Sequence, residues 1–257
     1  MVQVDNHVHA LAHGEYRYSH EWISRFIQKA RKRGIKEIGL CEHDEFRSLV
    51  DFDLIDRMRS GYADIKIRIG LEVDYIPGRE EEIKQIAAEC DYDYLIGSVH
   101  YIDGWGFDHP DYKHGFDNRD IDETYQSYFN LVKAAAMSGL FDVIGHLDLI
   151  KIWGHRPEKH EISYYLDPVL KSIKASGTII EINSSGNRKP VGEMYPDPRI
   201  LEMMAARDIP ITFGSDAHHP DQIGEGLNEA GLIAYKLGYR QVVGFEQRRK
   251  ILTPLEL

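Results

Sequence analysis

Two histidines at alternate positions, His7-Val8-His9, stand near the start of the chain, and a carboxylate and a histidine with the same spacing, Asp216-Ala217-His218, stand near its end. Side chains two apart on an extended backbone point to the same side, so each pair can offer two donors to one metal ion. Between them, short apolar runs lead into His43 (CEHDE), Glu72 (GLEVDY), His100 (GSVH) and His146 (DVIGH). A lone histidine in such a place is more often a hydrogen-bonded rim residue than a ligand. The repetition of the pattern from one apolar run to the next is what favours a shared metal centre. A carboxylate such as Glu72 can bridge two ions. His13 and His20 follow the first pair; one of them could complete a third ion's shell, the other being a surface residue.

Nitrogen and oxygen donors without thiolate suit Zn, Mn or Fe(II). Several such ions together lower the pKa of bound water and neutralise phosphate oxygens, so phosphate-ester hydrolysis is the natural chemistry, although amide hydrolysis fits the ligands too. Arg188-Lys189 tips the balance to phosphate, because a guanidinium fork matches phosphate oxygens and Asn183, Ser184, Ser185 and Gly186 just before it add donors.

Hydrophobic periodicity supplies the elements that must hold these residues. Strands are predicted over 2–7, 35–40, 65–71, 94–99, 141–145, 178–182 and 209–213. Helices are predicted over 19–33, 49–59, 79–89, 120–138, 161–175, 197–207 and 225–237. The loop 101–118 is too long to be a plain connector and reads as a wall or lid on the substrate side. A weaker apolar run, 241–245, is followed by a basic tail. Seven β-then-α units imply parallel strands with helical crossovers. Because the candidate ligands all fall at the carboxyl ends of the strands, a closed barrel, whose strand ends converge on one face, explains them better than an open sheet.

The bulk composition sets limits. The chain has 257 residues, 42% hydrophobic and 28% charged, as expected of one globular domain spanning 1–257. Its net charge of -11 disfavours a track for a nucleic-acid chain but leaves room for a small phosphorylated metabolite. The two cysteines, Cys41 and Cys90, form no disulfide framework and no CxxC zinc site. No signal-like or membrane-spanning run is evident, so a cytoplasmic protein without a membrane partner is expected.

The ordered set HVH, EHD, GLEVDY, GSVHYIDGWGFD, GHLDLIK, EINSSGNRKPVGEMYP and GSDAHHPDQIG resembles the PHP (polymerase and histidinol phosphatase) family, in particular its histidinol-phosphate phosphatase branch. The resemblance runs from His7 to about Gly226. It implies a distorted (β/α)7 TIM-like barrel with a trinuclear centre of divalent ions. On it, His7, His9, Glu72 and Asp216 would hold the first ion, and Glu72, His100 and His146 the second. His43, His218 and a residue of the loop after His9, such as His13, would hold the third. It further implies hydrolysis of L-histidinol phosphate. In the mechanism read onto it, Arg188 stabilises the phosphate oxygens, and Asp216, His218 or a metal-bound water protonates the leaving group. Asn187 departs from the family, which carries an apolar residue there. Glu42, Asp44, Trp105 and Asp148 lie on the expected face as partners for an ammonium and an imidazole. The rival readings are a PHP phosphoesterase acting on a nucleoside bisphosphate or an oligonucleotide end, and a metal-binding protein without turnover.

Overall fold

The computed structural model describes residues 2–255. Seven strands form one sheet in the order β1 (Val4–Val8), β2 (Glu37–His43), β3 (Lys66–Asp74), β4 (Tyr94–Ser98), β7 (Val143–Ile144), β8 (Ile179–Asn183), β9 (Ile211–Gly214). Every neighbouring pair is parallel. The strands missing from this order, β5 (Tyr101–Ile102) and β6 (Trp105–Gly106), pair with each other in the long loop after β4. The sheet closes on itself just past β9. A parallel bridge joins Val8 to Ala217, with His9 N donating to Ala217 O at 2.8 Å. The Asp5 carboxylate fastens the same seam by accepting from Ser215 N at 2.8 Å and Ser215 Oγ at 2.6 Å.

The crossovers are α1 (His20–Lys32), α2 (Phe52–Gly61), α3 (Glu80–Glu89), α4 (Ile121–Met137), α5 (Ile162–Ser176), α6 (Pro198–Ala205) and α7 (Leu227–Lys236). Their starts are written in the sequence. Ser19 accepts from Trp22 N, Asp120 from Asp122 N and Glu123 N, and Asp197 from Arg199 N, each satisfying helical N–H groups that lack a partner within the helix. In α1 the spacing of Ile23, Phe26, Ile27 and Ala30 puts one apolar stripe into the core. No helix among the described residues is long and apolar enough to cross a membrane.

Cys41, Tyr94, Ile96, Val143 and Ile179 form a separate buried cluster with Val243 and Phe245. The Tyr94 ring occupies space cleared by two glycines, since a Cβ on Gly39 would lie 1.8 Å from its hydroxyl oxygen and one on Gly70 2.5 Å from its ring. Its hydroxyl donates to Asn6 O at 2.7 Å.

The predicted strands and helices all occur, with shifted ends. β2 runs on to His43 and β3 to Asp74, so His43 and Glu72 lie within strands and not beyond them. The predicted helix 49–59 starts later, at Phe52, behind a 3-10 turn over Asp44–Leu49. The tail after 245 differs most. It is strand β11 (Arg249–Pro254), antiparallel to β10 (Gln241–Glu246), and the hairpin sets Phe245 against Tyr94 at the starts of the barrel strands. Its alternation of Arg249, Ile251 and Thr253 with other residues is too polar to read as a strand on its own, and only pairing with β10 orders it.

Candidate metal centre

At the opposite, carboxyl end of the strands the polar residues converge on Glu72. Its side chain is almost fully buried, and five imidazoles surround it. Oε2 lies 3.2 Å from His7 Nε2, 3.3 Å from His9 Nε2 and 3.0 Å from His43 Nδ1. Oε1 lies 2.9 Å from His146 Nε2 and 3.8 Å from His100 Nε2, and accepts from Ser98 Oγ at 2.6 Å. Asp216 Oδ1 approaches His9 Nε2 at 3.4 Å and His218 Nδ1 at 3.4 Å. These strand ends are far apart in sequence; barrel closure alone makes them neighbours.

The donor atoms fall into three groups in which every atom is within 4.8 Å of the others: His7, His9 and Glu72; Glu72, His100 and His146; and His9, His43 and His218. Several of the nitrogens concerned, His7 Nε2, His9 Nε2, His43 Nε2 and His218 Nε2, are buried without a hydrogen-bond partner. Buried polar atoms are normally satisfied, and a row of orphaned imidazole nitrogens facing carboxylates is what a metal-binding donor set needs. The residues therefore fit divalent ions.

A second ring of groups fixes the imidazoles. Glu181 Oε1 lies 2.6 Å from His7 Nδ1, while Oε2 accepts from His146 N at 2.9 Å and Asn183 Nδ2 at 3.0 Å. Asp74 Oδ1 does the same for His100 Nδ1 at 2.5 Å. Carboxylates in these places hold the ring orientation and leave the other nitrogen free for an ion. Both were missed in the sequence. Glu181 is a charge inside the apolar run TIIEIN, and Asp74 sits two residues after Glu72 and so on the same side of the strand; either signal could have found them.

Charge follows from this packing. Burial raises the Glu72 carboxyl, but the charges of His7 and His43 and hydrogen bonding to His146 and His43 outweigh it and hold the group well below the usual range. Burial lowers the His9 imidazole, yet Asp216 and Glu72 together lift it to about 9. The same contest at His100, with Asp74 and Asp108 as the opposing charges, ends at about 10. Burial, helped by His9, pushes His218 well below the ordinary imidazole value. Asp216 is held well below the carboxylate range, because His7, His9 and His218 overcome its burial. An ionised carboxylate and a neutral imidazole are the forms in which Asp216 and His218 would ligate a metal.

His13 enters none of the three donor groups. It stands at the rim with 61% of its side chain exposed, its ring 4.6 Å from that of His218, and it lines the cavity over the cluster together with His43 and His218. Arg188 Nη2 donates to Ser215 O at 2.7 Å and Asp216 O at 3.1 Å, while its Nη1 is buried without a hydrogen-bond partner. Asp216 needs such support, since its backbone adopts φ 52°, in the left-handed region. Lys189, its neighbour, lines the cavity over the cluster instead. Glu42 is spent on Ala10 N, Leu11 N and Tyr18 Oη, Asp44 on Arg79, and Asp148 on Lys151 and Asp197 N. Trp105 packs on Phe116 and Arg119 and gives its Nε1 to Tyr112 O.

The PHP domain family model matches residues 5–185, and the PHP-associated model matches residues 198–231. The "Probable histidinol-phosphatase" of Deinococcus radiodurans is 44% identical over 185 residues, covering 72% of this chain and 70% of that protein. The Histidinol-phosphatase of Bacillus subtilis is 26% identical, covering 87% of this chain and 96% of that one. Among solved structures, histidinol phosphate phosphatase from Lactococcus lactis, complexed with zinc, L-histidinol and phosphate, superimposes with a TM-score of 0.79 at 20% identity, covering 97% of this chain and 98% of that chain. That likeness extends over the whole barrel. With its fold, its donor set and a family match over most of its length, the chain belongs to the PHP domain family.

Proposed function

We propose that this protein is a metal-dependent phosphomonoesterase that hydrolyses L-histidinol phosphate to L-histidinol and phosphate in histidine biosynthesis, residues 1–257 forming one catalytic domain. The observation that carries the reading is Glu72, a buried carboxylate within 3.3 Å of four imidazoles and shared by two of the three donor groups. The similarity to the histidinol-phosphatases of Deinococcus radiodurans and Bacillus subtilis, and the zinc, L-histidinol and phosphate bound by the Lactococcus lactis protein, support the substrate.

His7, His9, Glu72 and Asp216 would hold one ion, Glu72, His100 and His146 a second, and His43 and His218 with a residue of the loop after His9 a third. Such ions, zinc, manganese or iron(II), supply a lowered pKa for water at the site and positive charge against phosphate oxygens. The chain does the rest. Glu181 and Asp74 keep the rings of His7 and His100 aimed. Arg188 holds the turn that carries Asp216 and His218. Lys189, on the cavity wall, offers its ammonium to the phosphate as a point charge.

The direct test is phosphate release by protein reconstituted separately with each metal, offered L-histidinol phosphate, a nucleoside 3′,5′-bisphosphate and a short oligonucleotide. The expected result is kcat/KM for L-histidinol phosphate of about 10⁴ M⁻¹s⁻¹ or above, far ahead of the others. Turnover of the nucleotides alone would keep the metal centre and overturn the substrate.

A further inference from the structure

The cavity over the donor cluster has a second wall that binds no ion. It is made by Leu149 and Ile152, both buried, with Lys189 on the loop after β8 and Asp108 on the loop after β6. One cation, one anion and an apolar patch thus face a cluster whose donors suit a phosphate ester's metal ions. Asp108 differs from the other acids of this face. Asp74 is taken by His100, Asp216 by Ser185 and His9, and Glu42, Asp44 and Asp148 by the partners given above. Asp108, half-buried, has no hydrogen-bond or ion-pair partner among the described residues, and its charge reaches His100 across the cavity.

Its backbone is also held firmly. Phe107, fully buried, packs edge-on against Tyr128 at 5.5 Å, and its carbonyl accepts from Trp153 Nε1 at 2.8 Å. His109 N donates to Gly106 O at 3.3 Å on the other side. A carboxylate presented from so fixed a backbone, and left without a partner, is pre-organised for a cationic group. A substrate with a phosphate at one end and an ammonium at the other can satisfy both only in one direction. The phosphate goes to the cluster and Lys189, and the cation to the single uncommitted acid.

We propose that Asp108 is the specificity-determining residue of this site, pairing with the ammonium group of an amino-alkyl phosphate. The proposal rests on the phosphomonoesterase reading above and names the group of the substrate that is selected.

The test compares wild-type and Asp108→Asn zinc-loaded enzymes on L-histidinol phosphate and on p-nitrophenyl phosphate, which has no ammonium. Removal of a charged partner should raise KM for L-histidinol phosphate at least about 10-fold and leave KM for p-nitrophenyl phosphate within about twofold. Inhibition by L-histidinol should weaken in parallel, while inhibition by inorganic phosphate stays the same. Should the two esters lose equally, Asp108 is structural and the proposal falls, as it also does if KM for L-histidinol phosphate is unchanged. A wild-type enzyme that cleaves p-nitrophenyl phosphate but not L-histidinol phosphate would overturn the substrate; cleavage of neither would overturn the phosphatase reading itself. If Asp108→Asn is misfolded by circular dichroism, Asp108→Glu, which keeps the charge one methylene further out, should retain more than half of the selectivity, and its loss would count against the pairing.

Discussion

Glu181 shows how much of this site depends on a residue that touches neither ion nor substrate. Its two oxygens serve different strands, one holding His7 Nδ1 and the other the backbone of His146 and the Asn183 amide. The barrel makes room for it with Gly214, where a Cβ would lie 1.9 Å from Glu181 Oε1. Truncation leaves a His7 free to change tautomer and a void beside it. Glu181→Ala is therefore expected to weaken zinc binding by about 10–100-fold, measured by competition with a chromophoric chelator; unchanged affinity would show that His7 is oriented by packing alone. Arg188 and Lys189 look alike along the chain, as adjacent basic residues on a loop. In the fold Arg188 Nη2 is taken by the carbonyls of Ser215 and Asp216, and Lys189 lines the cavity.

The elements carry the site through two contacts remote from it. Asp122 at the start of α4 accepts from Tyr165 Oη of α5 and from Glu158 N and Lys159 N of the intervening loop. Burial would raise its carboxyl, but these donors outweigh it and hold it at about 2. A depressed carboxylate adds stability above the unfolded-state pKa near 4, and that stability is lost as pH falls toward 2. The melting temperature of Asp122→Asn should thus lie below wild type at pH 6 and converge with it near pH 2; a constant difference would contradict the assignment. The hairpin of β10 and β11 closes the other end of the barrel. Phe245, fully buried against Tyr94, should cost about 3–5 kcal/mol when truncated to alanine, read from urea unfolding. A loss below 1 kcal/mol would mean that the hairpin merely lies over the barrel. Strand existence was legible from apolar runs, whereas the hairpin was not, because Arg249, Lys250 and Thr253 form a strand through their pairing partner and not through their own pattern.

For the molecule as a whole, the barrel gathers six histidines and two carboxylates into a space largely shut off from water. Without ions these groups hold one another's protons, as the raised His9 and His100 and the lowered Glu72 indicate. Metal binding should then couple to folding, since only the closed barrel presents the ligands together. Chelation is expected to lower the melting temperature, and zinc at a hundredfold excess over its dissociation constant to restore about 2.7 kcal/mol. Equal melting curves with and without chelator would rule out ions in the buried cluster. The sequence by itself determined the β/α alternation, the helix starts at Asp120 and Asp197, and the identity of His7, His9, His43, Glu72, His100, His146, Asp216 and His218 as candidate donors, because local periodicity and residue chemistry are properties of short stretches. Tertiary structure alone decided that the other donors gather around Glu72, that Lys189 and Asp108 line the cavity over them, and that Glu42, Asp44 and Asp148 are already committed. Those outcomes depend on which distant strand ends barrel closure brings within a few ångströms of one another, and no spacing along the chain encodes that distance.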